Sequence, residues 1–342
     1  MRCARYFGQL WSYDRRYSPA RAVYLTIWVM RLKGKVVHSN PMNTWQQFSK
    51  EISGAAGQAG KSVVAVDGRS GHTSSGIVWR PDSVLTAAHA IRHDGNIGVV
   101  LDAGGSIQAR LAGSDRSTDI ALLKLDREIE APPAQFGTPS SLAVGDFTVA
   151  VARTRRGNIV ASAGIISGLM GEWQVGRTRI DQFIRPDLNL YPGFSGGALA
   201  GGDGSVLGMN TSGLLRGKSI TIPSSTLVRV AEELAAKGHV ARPYIGLVMQ
   251  PVQIPESLQK KAGVTAAAGL LVMHVESGGP ADSAGALLGD IVVDLDGRTF
   301  DDLEDVQDAV RKKGVGNETR ATMVRGGQKV ELPIRIGERP VR

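Results

Sequence analysis

The chain has 342 residues, of which 42% are hydrophobic and 21% are charged. This composition is typical of a soluble globular protein, and the length suggests two or three domains. The only cysteine is Cys3, which excludes an intrachain disulfide and a cysteine-ligated metal site. Residues 1–41 hold eight Lys or Arg and one acid, so this tail accounts for most of the net charge of +8. The nearly neutral remainder argues against nucleic acid as a partner.

The basic tail, residues 1–41, has three interpretations. Its apolar run, residues 22–30, is shorter than the roughly 20 residues that span a bilayer, and no Ala-x-Ala cleavage site follows it. An Arg-rich, acid-poor tail is also typical of an organelle transit peptide. In the third interpretation Met42 is the true first residue. We therefore predict that the tail is disordered or a wrongly assigned start, and the sequence by itself predicts a cytoplasmic protein.

Residues 42–61 are predicted to contain a short amphipathic helix, because apolar residues recur there at helical spacing. From Ser62 the pattern changes to short β-strands separated by Gly-rich turns. Two sets of six strands, divided near residues 131–133, predict a pair of packed antiparallel barrels within residues 62–238. A helix is predicted from Ser224, as its N-cap, to Lys237, where Gly238 ends it. The predicted strands are residues 63–66, 76–79, 83–86, 98–101, 107–111 and 120–125, then 147–152, 159–169, 179–184, 198–199, 206–209 and 219–222.

Residues 242–338 form a third predicted unit. Five strands and two helices are predicted there, with a hairpin at Gly326-Gly327 and an apolar pattern of their own. This arrangement predicts a small α/β domain with a separate core. The overall expectation is a mainly β fold.

The segment Leu190–Leu199 places Ser195 in a glycine cluster. Glycines allow positive φ, so the loop can turn its N–H groups inward beside the hydroxyl, as an acyl-transfer site requires. The alternative is an ordinary tight turn between two strands. His89 ends one predicted strand and Asp119 directly precedes another. Each of these is a weak signal alone, but all three lie at strand ends in the order His, Asp, Ser.

These residues lie in motifs with a clear family resemblance. Thr86-Ala87-Ala88-His89, Asp119-Ile120-Ala121-Leu122 and Gly193-Phe194-Ser195-Gly196-Gly197 resemble the signature blocks of trypsin-like serine proteases. Tyr244-Ile245-Gly246-Leu247 and the α/β unit after it resemble a PDZ domain. A protease followed by a PDZ domain is similar to the HtrA/Deg family.

The resemblance implies a role for each site residue. Ser195 would be the nucleophile, His89 the general base, and Asp119 the group that orients the imidazole. The N–H groups of Gly193 and Ser195 would bind the oxyanion, and neither metal nor cofactor would be needed. Phe194 departs from the family, where Asn or Asp is common. Without that polar side chain, the resemblance leaves open whether the oxyanion hole is formed at rest.

Substrate contacts are predicted for two places. The walls of the primary pocket would include Leu190, Tyr191, Met209, Asn210 and Thr211, which are uncharged and favour small to medium aliphatic side chains. In the PDZ-like unit, Tyr244, Ile245, Gly246 and Leu247 would bind a peptide C-terminal carboxylate, and Val306 and Val310 would line the side-chain groove. The alternative is an α/β spacer without a ligand.

The leading hypothesis is a serine endopeptidase that cleaves unfolded or misfolded protein. The alternative is a PDZ-containing chaperone or binding protein with weak or latent proteolysis. The expected partners are unfolded polypeptides and peptide C-termini, without nucleic acid. The family resemblance also implies a homotrimer, with Trp45 and Phe48 as contact candidates, and a periplasmic or cell-envelope location.

Overall fold

A computed structural model describes residues 43–69, 72–92, 96–101, 105–175, 178–215, 218–300 and 302–340. The predictions for the tail, residues 1–41, therefore lie outside the described residues. In the described part of the chain, no helix is both long and apolar enough to cross a membrane.

Two closed six-stranded barrels follow an N-terminal helix, α1 (Thr44–Gly60). All the ladders within them are antiparallel, so the predicted pair of barrels is confirmed. The first barrel has the order β1-β2-β3-β6-β5-β4 and the second β11-β14-β13-β12-β7-β8. The strands of the first barrel are β1 (Val63–Arg69), β2 (His72–Arg80), β3 (Ser83–Ala87), β4 (Ile97–Val100), β5 (Ser106–Asp115) and β6 (Ile120–Leu125). Those of the second are β7 (Phe147–Arg153), β8 (Ile159–Met170), β11 (Phe183–Asp187), β12 (Ala198–Ala200), β13 (Val206–Leu215) and β14 (Lys218–Pro223).

Two local predictions differ from the structure. The strand predicted at residues 179–184 is divided, because β10 (Thr178–Ile180) pairs with β9 (Trp173–Val175) in a hairpin outside the barrel and β11 begins at Phe183. Asp181 lies in the break, where its N–H donates to Thr226. Helix α2 (Ser224–Lys237) ends at Gly238 as predicted, but Ser224 is not its cap, because the Ser224 hydroxyl donates to the carbonyl of Gly137.

The two barrels share one hydrophobic cluster. Ile77, Leu85 and Ile120 of the first barrel pack in it with Val151 and Met209 of the second. Helix α2 adds its apolar face through Leu227, Val230 and Leu234. Because interiors are close-packed and transmit displacements, this shared cluster fixes one barrel relative to the other, and the candidate site lies where they meet.

The C-terminal α/β region has a separate core that includes Leu270, Val292, Phe300 and Met323. Its main sheet has the order β16-β17-β18-β20-β21. The buried Asp290 carboxylate pairs with Arg325 at 2.8 Å. Burial alone would raise the pKa of Asp290, but the hydrogen bonds from Arg325 and from the N–H of Leu287 hold it below its ordinary value. The elements are β15 (Pro243–Tyr244), β16 (Leu247–Gln253), α3 (Glu256–Ala262), β17 (Ala268–Val275), α4 (Pro280–Ser283), β18 (Ile291–Leu295), β19 (Arg298–Thr299), α5 (Leu303–Lys313), β20 (Glu318–Arg325), β21 (Gln328–Arg335) and β22 (Gly337–Glu338).

Candidate active site and peptide groove

His89 and Asp119 meet at the ends of two paired strands. His89 lies in a short 3-10 turn, residues 88–90, directly after β3, and Asp119 directly precedes β6. Since β3 and β6 are antiparallel neighbours, the end of one lies beside the start of the other. Asp119 Oδ2 lies 2.7 Å from His89 Nδ1, and Asp119 Oδ1 accepts the His89 backbone N–H at 2.8 Å. The carboxylate therefore fixes both the ring and the backbone of His89.

Asp119 is held in an unusual conformation. Its φ is 57°, a value that non-glycine residues seldom adopt, although Asp tolerates it better than most. Its side chain is buried and also accepts a hydrogen bond from the hydroxyl of Thr211 on β13. Four residues earlier, the buried Asp115 caps the same loop and accepts a hydrogen bond from Arg242 at 2.6 Å. The sequence analysis missed Thr211 in this role and missed Arg242 altogether.

Ser195 follows a tight turn that Pro192 and Gly193 form. The N–H of Phe194 donates to the carbonyl of Tyr191 at 3.0 Å, and Gly193 has a φ of 99°. Proline at the second position and a positive φ at the third identify a type II turn. The turn brings Ser195 to the start of the segment that leads into β12.

Gly196 and Gly197 are required by close backbone packing. A Cβ on Gly196 would lie 2.0 Å from the carbonyl oxygen of Ser75, and a Cβ on Gly197 would lie 2.4 Å from that of Val151. Both distances are below any real contact of a Cβ atom, and Gly196 also has a φ of 84°. The glycine cluster therefore allows the loop to pack directly against strands of both barrels.

Phe194 does not project into solvent. Its ring is 3% exposed and packs in a cluster with Ile166, Ile184 and Leu199. Tyr191 meets it edge to face, with ring centroids 5.9 Å apart. Apolar packing therefore anchors this loop at the position where the family commonly has a polar side chain.

Two N–H groups of the loop are not used internally. Among the described residues, none accepts a hydrogen bond from the N–H of Gly193 or of Ser195. The next two N–H groups are both hydrogen-bonded: that of Gly196 donates to the carbonyl of Asn210, and that of Gly197 donates to the carbonyl of Phe194. The loop thus leaves unbonded the two donors that the sequence analysis assigned to the oxyanion.

Three consecutive residues of β13 contact the three predicted catalytic residues. Thr211 donates to Asp119, and the Ser212 hydroxyl lies 3.1 Å from the Ser195 hydroxyl. Gly213 lies so close to His89 that a Cβ there would be 2.4 Å from Nδ1. The second barrel thereby brings Ser195 and the first-barrel residues His89 and Asp119 to a single strand.

The predicted pocket residues divide into two groups. Leu190 is half-buried and Tyr191 is 58% exposed, so both can contact a substrate. Met209, Asn210 and Thr211 are fully buried. Met209 belongs to the shared core, and Asn210 bonds Ala198 and Thr221. The side chains of these three do not reach an open pocket in this structure; the exposed residues that follow them on β13 are Ser212 and Gly213.

The six residues predicted to bind a peptide C-terminus line a single cavity of about 590 Å³. Gly246, with a φ of 79°, lets the chain turn between β15 and β16. Val306 and Val310 of α5 form the apolar wall. In the described part of the chain, no residue accepts a hydrogen bond from the N–H of Ile245 or Gly246. Arg179 of the β9–β10 hairpin and Arg229 of α2 also line the cavity.

Comparison with known proteins agrees with both parts of the fold. Residues 74–209 match the trypsin-like peptidase domain family and residues 243–336 match the PDZ domain family. HhoB of Synechocystis sp., a protein with a serine protease name, is 33% identical over 287 residues, which cover 80% of this chain and 68% of HhoB. The chain belongs to the HtrA/Deg family of trypsin-like serine endoproteases.

Other members of the HtrA/Deg family support the same assignment. A periplasmic serine endoprotease of the DegP-like type from Halomonas elongata is 30% identical; the match covers 78% of this chain but only 56% of that protein. The structure of the HtrA-type protease AlgW with a decapeptide has a TM-score of 0.67 at 26% identity and covers 85% of this chain and 99% of its own. A serine endoprotease from Yersinia pestis has a TM-score of 0.67 at 28% identity, covering 84% of this chain and 98% of its own.

Proposed function

We propose that this HtrA-type chain is an active endopeptidase that cleaves unfolded or misfolded polypeptides through an acyl-enzyme. The observation that carries the proposal is the 2.7 Å contact between Asp119 and His89. Asp119 also accepts a hydrogen bond from Thr211 of β13, the strand that contacts Ser195 through Ser212. The family membership supports the reaction class, and the contacts among Asp119, His89 and β13 support the proposed residues.

In the proposed reaction, Ser195 Oγ attacks the scissile carbonyl carbon while His89 Nε2 accepts its proton. Asp119 remains ionised and stabilises the imidazolium. The negative oxygen is bound by the N–H groups of Gly193 and Ser195, and each such donor typically contributes about 3–4 kcal/mol to transition-state stabilisation. His89 then protonates the departing amine. Water hydrolyses the ester on Ser195 and releases a carboxylate.

The substrate would bind as an added strand along the exposed part of β13, at Ser212 and Gly213, where its backbone can pair. Leu190 and Tyr191 would border the primary pocket. Because neither carries a charge, we expect cleavage after aliphatic residues rather than after Lys or Arg.

A peptide C-terminus is the proposed ligand of the PDZ cavity. The unbonded N–H groups of Ile245 and Gly246 would bind its carboxylate, and Val306 and Val310 would contact its last side chain. AlgW has been solved with a decapeptide and with a tripeptide, which supports a peptide ligand here. An isothermal titration with a hydrophobic C-terminal peptide and its C-terminal amide tests this; equal affinities would contradict it.

Self-association as a homotrimer is also proposed. Trp45 is 80% exposed on α1, and its ring meets that of Phe48, which in turn meets Phe147 at a centroid distance of 5.2 Å. Such an exposed aromatic cluster is typical of a protein interface. Sedimentation velocity should show a trimer that Trp45→Ala weakens, whereas a wild-type monomer would contradict the proposal.

Casein digestion distinguishes the protease from a chaperone with latent proteolysis. The wild type should release casein fragments continuously, whereas Ser195→Ala should release none, although it retains the same fold. The matched control is Ser141→Ala, since Ser141 is exposed and bonds only its own turn. If the wild type suppresses casein aggregation but does not cleave, the chaperone alternative is correct.

A further inference from the structure

Ser75 is a buried residue of the first barrel that contacts the loop of the second barrel around Ser195, the proposed nucleophile. We call this loop, residues 190–197, the nucleophile loop. It lies on β2, is 0% exposed, and is not part of the proposed triad. Its hydroxyl donates to the carbonyl of Gly193 at 2.8 Å, and its N–H donates to the carbonyl of Ser195 at 2.9 Å. One residue thus bonds the loop backbone on both sides of Phe194.

The hydroxyl of Ser75 is itself held in place. It accepts the N–H of Arg153 on β7 at 3.0 Å, and the Ser75 carbonyl accepts the hydroxyl of Thr86 at 2.6 Å. With one donor and one acceptor in use, the hydroxyl has a fixed direction. The Arg153 guanidinium bonds the carbonyls of Gly60 and Gly157 at 2.7 Å, so the support is rigid.

These bonds hold the peptide units on either side of the unbonded N–H of Ser195. The peptide units that join Gly193 to Phe194 and Ser195 to Gly196 are each bonded at both their carbonyl and their N–H. Between them, the N–H of Ser195 is left to face outward from a loop fixed on either side. The Ser75 hydroxyl is thus the side-chain group that bonds the carbonyl of Gly193, directly before Phe194.

We infer that Ser75 is a positioning residue that holds the nucleophile loop in the conformation that binds an oxyanion. Phe194 anchors the loop by apolar burial but cannot hydrogen-bond its backbone, and the Ser75 hydroxyl does so from the other barrel. The inference rests on the proposed protease function. Losing the hydroxyl would release the Gly193 carbonyl and let the loop leave the geometry that binds an oxyanion.

Ser75→Ala tests the inference, with Ser74→Ala as the matched control. Ser74 is the next residue on the same strand and is also buried, but its hydroxyl donates to Val66 within the first barrel. We expect Ser75→Ala to lower kcat for fluorescent casein by roughly 10- to 100-fold, with little change in KM. The concentration of active sites in each variant is determined by end-point labelling with a fluorophosphonate, so that kcat is given per active site. Ser74→Ala should keep the wild-type rate.

An oxyanion-specific readout separates positioning from general damage. A peptidyl valinal forms a tetrahedral adduct on Ser195 with a negative oxygen, whereas the matching valinol peptide cannot. Ser75→Ala should weaken aldehyde binding about 10-fold and leave alcohol binding within about twofold. Ser75→Cys keeps the volume with a weaker donor and should lie between wild type and Ala, which provides a result even if Ser75→Ala folds poorly.

Three results would overturn the inference. The first is a wild-type kcat in Ser75→Ala. The second is an equal loss of aldehyde and alcohol affinity in Ser75→Ala. The third is a loss of kcat in Ser74→Ala as large as that in Ser75→Ala. A wild type that neither labels nor cleaves would instead contradict the proposed protease function, and the inference with it.

Discussion

Two loops of this chain present backbone N–H groups beside a glycine with positive φ, yet they are supported differently. The nucleophile loop, in which Gly193 has a φ of 99°, is hydrogen-bonded by Ser75 of the other barrel and by Asn210. The PDZ loop, residues 244–247, in which Gly246 has a φ of 79°, accepts hydrogen bonds from the N–H groups of Glu276 and Ala281 in its own domain. The protease site therefore depends on how two barrels dock, whereas the peptide loop depends on one small domain.

The largest expected effect is a loss of proteolytic activity without a loss of peptide binding at the PDZ cavity. Asp119→Asn should lower kcat for casein about 10⁴-fold, because the amide stabilises the wrong imidazole tautomer of His89. Peptide binding at the PDZ cavity, measured by fluorescence polarisation, should not change. The control is Asp126→Asn, an exposed carboxylate on the same barrel. A loss below tenfold would contradict the assigned role of Asp119.

The second prediction tests how closely the barrels pack at the nucleophile loop. Gly196→Ala places a Cβ 2.0 Å from the Ser75 carbonyl at a φ of 84°, so the loop must move. Cleavage should fall by roughly 100-fold or more, comparable to losing an oxyanion donor. Gly202→Ala is the control, because its Cβ would meet nothing within 4 Å. Equal activity of the two variants would show that the loop adapts freely.

The third prediction concerns the stability of the PDZ domain. The folded-state pKa of Asp290 is lowered, so its pair with Arg325 stabilises the fold above the ordinary aspartate pKa of about 4, and this stabilisation is lost as pH falls through the folded-state pKa. Asp290→Asn should cost about 2 kcal/mol at pH 7. Hydrogen exchange of β18 and β20 should show a difference from wild type that shrinks toward pH 2. A pH-independent difference would contradict the ion pair.

The smallest effect is expected at the PDZ loop. Gly246→Ala meets no atom closer than the Pro280 Cδ at 3.4 Å, so its cost is backbone strain of about 1 kcal/mol. Affinity for a C-terminal peptide should fall about fivefold, while cleavage of casein stays unchanged. If Gly246→Ala abolished peptide binding, the loop would be as constrained as the one around Gly196.

The sequence predicted the elements that local pattern determines. The strand over Ile120–Leu125 and the end of α2 at Gly238 lie where periodicity and turn chemistry placed them. The division of residues 179–184 was missed, because the contact that interrupts this run comes from Thr226, far away in the chain.

The same limit applies to the candidate site. His89, Asp119 and Ser195 could be proposed from the sequence because their motifs are local. Ser75 and Arg242 were missed because only tertiary structure brings Ser75 to Gly193 and Arg242 to Asp115. Met209 was predicted to line the pocket, but strand alternation and barrel closure direct its side chain into the shared core.

Labelling with a fluorophosphonate probe tests the central claim most directly. The probe reacts with a serine hydroxyl that a neighbouring base has activated, and peptide mass spectrometry locates the adduct. A single adduct on Ser195, absent in His89→Ala and present in Ser212→Ala, is the predicted result. An unlabelled wild type, or an adduct on any other serine, would contradict the claim that Ser195 is the nucleophile.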